Sequence, residues 1–177
     1  FFTDFGNIHS FHFDIGLGWA FAKTKTIPSK DWEISNPLRR RMIFDGIGYY
    51  HALYKGRRTV KKQIIGEGIE GKDLDGYNQG VGRRLWYIAK GDVEILTQQI
   101  QNFQTSRQAN LWQGVGIACG YVGGIDEQNM NLLLAASANH QQQLSKGIAL
   151  AAISRNASNT VTENIERACE VFCNKKL

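Results

Sequence analysis

Gly80-Val81-Gly82-Arg83-Arg84-Leu85-Trp86-Tyr87-Ile88-Ala89 is the stretch on which the reading of this chain turns. Two glycines enclose one apolar residue, and aromatic, aliphatic and alanine positions follow at helical spacing. The doublet recurs as Gly16-Leu17-Gly18, Gly46-Ile47-Gly48 and Gly114-Val115-Gly116, with Gly147-Ile148-Ala149 as a fifth copy. The copies start at 16, 46, 80, 114 and 147, so they lie 30, 34, 34 and 33 residues apart. Self-similarity at a fixed period marks a repeat architecture, and about 34 residues is the length of a tetratricopeptide-type unit.

Glycine inside a helix costs about 1 kcal/mol relative to alanine, so its recurrence needs a reason. Removing side chains where helices cross supplies one. A phosphate-binding loop does not, because no strand precedes the doublets and no acidic residue stands at the required distance beyond Gly114-Val115-Gly116. After the third and fourth copies the chain breaks at Gly91-Asp92 and Gly123-Gly124. Asp92 is suited to cap the next helix. Apolar residues then return at helical spacing, as Val93, Leu96, Ile100 and Phe103, and later as Met130, Leu133 and Leu134. The expected fold is all-α, with tetratricopeptide-like antiparallel helical repeats in one domain over 1–177. The repeats fall near 1–37, 38–76, 77–107, 108–142 and 143–177. The first two are less regular. Lys23 to Pro37 holds both prolines and reads as a loop, Gly66 to Gly76 reads as a second exposed loop, and Tyr77 to Cys173 reads as helical with short turns.

Composition agrees with a globular chain: 42% hydrophobic, 21% charged, and two prolines in 177 residues, which excludes a disordered Pro-rich linker. The net charge of +5 is unevenly placed, with +7 in residues 38–90 and −1 on either side. Arg39-Arg40-Arg41, Arg57-Arg58, Lys61-Lys62 and Arg83-Arg84 carry the excess. Such a face is either plainly solvated or attracts an acidic protein, a phosphate or an anionic membrane surface. Nucleic acid is not expected, since no zinc-finger spacing, recognition helix or aromatic sheet pattern accompanies the charge. Cys119, Cys169 and Cys173 cannot all pair, and Cys169 and Cys173 are placed to be small buried hydrophobes. A reducing, cytoplasmic setting follows as the expectation. The 18 uncharged residues between Arg107 and Asp126 include Gln108, Asn110 and Gln113, so they read as a buried helix and no transmembrane segment is expected. The chain begins at Phe1-Phe2 and not at Met, so its natural start is expected upstream.

Few residues carry legible chemistry. His9, His12 and Asp14 match no defined metal spacing, and no metal is expected. Asp14 and Asp45, each after a phenylalanine, suit acid–base work in a groove or pairing with arginine near helix starts. Arg83 and Arg84 follow a doublet, where a buried guanidinium needs a partner. Asp14 or Asp45 could serve, and the alternative is an anion clamp. Trp86, Trp112, Tyr121 and His51 occupy similar offsets after their own doublets, as core or as the lining of one surface. The candidate catalytic residues are His51, Asp45 and Arg83. The candidate binding residues are Arg83, Arg84, Trp86, Gln79, Trp112 and Tyr121. No nucleophile triad is legible, and no cofactor is assigned.

The string Phe44-Asp45-Gly46-Ile47-Gly48-Tyr49-Tyr50-His51 resembles one bacterial family, as do Gly76-Tyr77-Asn78-Gln79-Gly80-Val81-Gly82-Arg83-Arg84-Leu85-Trp86 and Leu111-Trp112-Gln113-Gly114-Val115-Gly116-Ile117-Ala118-Cys119. That family is domain of unknown function 1702, whose members occur in enediyne polyketide gene clusters and in other bacteria. Cys169-Glu170-Val171-Phe172-Cys173 is similar to the family's ending, so the resemblance covers the C-terminal part of a member. His51 keeps the family's histidine, whereas Ala52 stands where the family pattern has an acidic residue. The resemblance implies a bacterial setting and a role beside polyketide or long-chain, lipid-like metabolites. The expected function is a helical-repeat binding or accessory protein in specialised-metabolite biosynthesis. Its basic face would dock an acidic partner such as an acyl carrier protein, and an apolar small molecule is the other expected partner. The alternatives are an enzyme acting on a linear polyene or other apolar substrate, and a structural subunit of a larger complex.

Overall fold

The computed structural model describes residues 9–29 and 36–176, and every regular element among them is helical. In chain order the α-helices are α1 (Ser10–Thr24), α2 (Pro37–Tyr54), α3 (Gly71–Ala89), α4 (Val93–Gln101), α5 (Thr105–Val122), α6 (Glu127–Ala136), α7 (Gln141–Ala157) and α8 (Glu163–Cys173). A π-helical turn, Arg57–Lys61, follows α2, and a 3-10 turn, Ala138–His140, precedes α7. The chain forms two compact units, Phe1–Val81 and Gly82–Leu177, with the boundary inside α3.

Local chemistry sets the helix ends. Asn36 accepts the Leu38 N–H at 2.9 Å and Pro37 occupies the first helical position of α2, where its missing donor is harmless. Asp92 caps α4 by accepting the Ile95 N–H at 2.9 Å, as its place after Gly91 predicts. Asp126 does the same for α6 through the Asn129 N–H at 2.8 Å. Gly91, Gly123 and Gly124 take φ of 82°, 66° and 92°, which releases the chain from α3 and α5. The Gly66 to Gly76 loop reading needs correction, because α3 already begins at Gly71. The Glu70 carbonyl accepts the Asp73 and Leu74 N–H groups, and Asp73 supplies an acidic first turn. Of the Lys23 to Pro37 loop, residues 30–35 lie outside the described residues.

In the Phe1–Val81 unit the doublets are where helix backbones meet. A Cβ on Gly18 would stand 2.9 Å from Gly46 Cα and overlap the Ile43 carbonyl, so α1 and α2 cross with nothing between them. A Cβ on Gly48 would lie 3.0 Å from Tyr77 Cα, and one on Gly80 would lie 2.7 Å from the Tyr49 N. Close backbone approach of this kind is open only to glycine. Met42, Ile43, Phe44, Ile47 and Tyr77 fill the buried layer around these crossings.

The Gly82–Leu177 unit uses the same device. A Cβ on Gly82 would stand 2.7 Å from Leu111 Cα, and Cβ atoms on Gly116 and Gly147 would meet the partner's Cα at 3.0 and 2.9 Å. Here α5 and α7 are each followed by a shorter helix, α6 and α8. Leu85, Leu96, Leu111, Met130, Leu133 and Ile148 form a sealed core. The uncharged stretch after Arg107 is α5, buried from Leu111 to Gly120 apart from Gln113. Among the described residues no helix is long and apolar enough to cross a membrane.

Candidate functional site

The basic middle of the chain separates into spent and unspent charge. Arg39 grips the buried Asp14 through Nε and a terminal nitrogen, the closest contact being 2.9 Å. Arg40 holds Asp73 in a two-point pair at 2.7 and 2.8 Å, donates to the Ser29 carbonyl at 3.1 Å and lies over the Phe44 ring. Such fork-to-carboxylate geometry is the strong form of an ion pair. Arg41 donates to Gln79 Oε1 at 2.8 Å, and the Gln79 amide donates to Asp45 Oδ2 at 2.8 Å. Burial lowers the Arg41 guanidinium pKa from its ordinary value, opposed by Asp75 and Asp45. All three arginines at the start of α2 are therefore structural.

The next cations are different. Lys55, Arg57, Arg58, Lys61 and Lys62 are exposed, and no carboxylate among the described residues lies within ion-pair distance of them. The π-helical turn carries Arg57, Arg58 and Lys61, with Lys55 and Lys62 flanking it, beside a cleft of about 720 Å³. Ala22, Ile47 and Ile69 form the buried floor of the cleft, and the half-exposed Ile27 and Ile64 form its walls. Lys25, Lys55 and Arg58 stand at its rim with one acidic residue, Glu67. Gly68, at φ 73°, turns the chain where a Cβ would meet Ile27 Cδ1 at 2.5 Å.

His51 lines this cleft from the last turn of α2. Its Nδ1 and the buried Tyr77 hydroxyl share a hydrogen bond of 3.3 Å. Burial, followed by the positive charges of Lys55 and Arg58, brings its pKa down to about 4, so the imidazole is neutral at neutral pH. The His51 carbonyl accepts the Lys55 N–H at 2.8 Å and the Thr59 hydroxyl at 3.2 Å, which ties the π-helical turn to α2. Beside it, Trp19 stacks on Tyr49 with ring centroids 5.7 Å apart, and Tyr50 and Tyr54 lie at 4.6 Å.

The sequence-derived site residues divide accordingly. Asp45 and Gln79 meet directly in the Phe1–Val81 unit, whereas His51 faces the cleft. Arg83, Arg84, Trp86, Trp112 and Tyr121 belong to the Gly82–Leu177 unit. There Trp86 and Trp112 are buried, Arg83 and Arg84 are half-buried, and the Arg84 Nε has no hydrogen-bond partner among the described residues. Tyr121 donates its hydroxyl to Ser154, and its carbonyl accepts from Arg155 at 2.6 Å. Asp14 is committed to Arg39, and no group of three or more metal-ligating side chains gathers among the described residues. Burial pushes the Cys119 and Cys169 thiols up to about 12 and about 11, which makes them inert hydrophobes at neutral pH. Sequence reasoning missed Lys25, Ile27, Ile64 and Ile69, which join the cleft from irregular segments. Arg58 stood only in a charge run.

Taken as a class, this is an all-helical protein whose Phe1–Val81 unit carries a cation-rimmed, apolar-floored cleft. The chain belongs to the DUF1702 family of proteins of unknown function, whose model matches residues 1–177. No curated protein and no solved structure matches it. The geometry gives the family-like strings a physical meaning. Asp45 bonds to Gln79, Gly48 meets Tyr77, Gly80 meets Asp45 and Tyr49, and His51 meets the Tyr77 hydroxyl.

Proposed function

We propose that this chain is a helical-repeat binding protein that docks an acidic protein partner through the segment Lys55–Lys62. The supporting observation is the set of exposed cations there with no ion-pair partner among the described residues, next to three arginines of the same basic third that are already engaged. A cluster of one sign left unneutralised steers and orients a partner of opposite sign. Glycine crossings in both units, and the long–short helix pairs α5–α6 and α7–α8, support a tetratricopeptide-like array. The resemblance to enediyne-cluster proteins supports specialised-metabolite biosynthesis as the setting and an acyl carrier protein as the partner. The test is titration calorimetry with acyl carrier proteins against the wild type and the triple variant Arg57→Glu/Lys61→Glu/Lys62→Glu. Association that weakens with salt and drops at least about tenfold in the variant supports the reading. Absence of association at low salt, or equal affinity in the variant, refutes it.

A second reading, an enzyme acting on an apolar substrate, is favoured by one observation: a neutral histidine backed by a buried tyrosine faces a cleft. Turnover of a linear polyene that His51→Gln abolishes would support it. No product under any cofactor condition would count against it.

A further inference from the structure

We propose that the cleft of the Phe1–Val81 unit binds an amphipathic anion, a carboxylate or phosphate monoester carrying a single apolar chain or ring. This goes beyond protein docking and stands on the cleft lining, which shares only Lys55, Arg58 and Thr59 with the segment Lys55–Lys62.

The apolar half of the argument is the floor and walls. Ile47 and Ile69 are buried in the lining, yet Ile27 is 41% exposed and Ile64 39% exposed there. Large aliphatic side chains left half-wet around a concave surface gain most from an apolar ligand. A volume of about 720 Å³ is within the size range of small-molecule sites.

The polar half selects the head group. Among the described lining residues Lys25, Lys55 and Arg58 stand against one carboxylate, Glu67, and His51 is uncharged, so that lining has an excess of positive charge. Lys25 and Lys55 follow the C-termini of α1 and α2, where cations also complement helix dipoles. That role does not exhaust them. The nearest terminal carbonyls are already satisfied, Phe21 by the Lys25 and Thr26 N–H groups and His51 by Lys55 and Thr59. Arg58 lies in the π-helical turn and caps neither helix. Thr26, also lining the cleft, has a hydroxyl that shares a 2.8 Å hydrogen bond with the Thr24 hydroxyl. Three cations around an aliphatic slot suit one anionic head on an apolar body, and they disfavour a neutral chain or a cationic amphiphile.

The experiment is calorimetric titration of the whole chain with decanoate, decyl phosphate and uncharged decanol. Saturable one-to-one binding of decanoate or decyl phosphate, with decanol at least about tenfold weaker, supports the proposal. The preference between the two anions identifies the head group. Lys55→Glu/Arg58→Glu should weaken the anion at least about tenfold, and Ile27→Ser/Ile64→Ser should do likewise while helicity by circular dichroism stays unchanged. Arg57→Glu/Lys61→Glu/Lys62→Glu, outside the lining, should leave decanoate affinity intact, which separates failure here from failure of protein docking. No binding of either anion below about 1 mM overturns the proposal. Equal affinity for decanol, or indifference to the Lys55/Arg58 or Ile27/Ile64 changes, overturns it too.

Discussion

Two glycines from the same motif should respond to alanine with opposite signs. At Gly46 a Cβ would stand 3.1 Å from Gly18 Cα and run into the Ile15 carbonyl. Both obstacles are α1 backbone, so neither rotates aside and the helices must separate. Overpacking costs about 1–3 kcal/mol, and a backbone-to-backbone clash belongs at the upper end, about 3. Alanine returns about 1 kcal/mol of helix propensity, leaving a net loss of about 2 kcal/mol. For a chain of this size that lowers Tm by about 4–8 °C. At Gly16 no described atom lies within 4 Å of the new Cβ, so only the propensity term operates. Gly16→Ala should raise Tm by about 2–4 °C. Both positions lie in the same unit, so far-ultraviolet circular dichroism of the two variants reads the same transition. If Gly46→Ala is neutral or stabilising, the doublets are not crossing points and the reasoning fails.

His51 should make stability depend on mild acid. Its folded pKa of about 4 lies below the ordinary 6.5, so its contribution is complete above pH 6.5. As pH falls from 6.5 toward 4 the unfolded chain takes up the proton first and that contribution is lost. Urea titrations should show the wild type losing more stability than His51→Gln across this window, and parallel curves would contradict the burial of the imidazole. Asp92→Ala should cost about 1 kcal/mol through loss of the α4 cap, and Asp92→Asn should recover most of it. Equal loss in both variants would argue against capping. In Cys173→Ser, the raised pKa values of Cys119 and Cys169 should slow thiol labelling of the native chain on the order of a hundredfold against the unfolded one. Rapid native labelling would show that these thiols are accessible.

The doublets were legible because a steric demand recurs as a residue type at a fixed interval, and Asp92 because a cap follows a glycine turn. In sequence Asp14 and Asp45 read as acid–base groups or as arginine partners, at helix starts or for Arg83 and Arg84. In the folded chain Asp14 pairs with Arg39 and Asp45 accepts from the Gln79 amide. What the charge pattern hid is that Arg39-Arg40-Arg41 and Arg57-Arg58 look alike in sequence but differ in fate. The first run lies at the start of a helix packed against acceptors, the second in a turn facing outward. The cleft was hidden for another reason. Lys25, Ile27, Ile64 and Ile69 come from irregular segments with no period, and only the folded chain sets them beside His51. Tyr77, 26 residues from His51, reads as core and gives no sign in the sequence that its hydroxyl reaches the imidazole.

The central claim is that the segment Lys55–Lys62 is a recognition surface. Amide chemical-shift mapping of the isotopically labelled chain, titrated with an unlabelled acyl carrier protein at low salt, tests it most directly. The largest shifts should fall on Lys55, the turn Arg57–Lys61 and Lys62, and should fade as salt is raised. Shifts centred on the acidic residues of α8, or none at all, would contradict it.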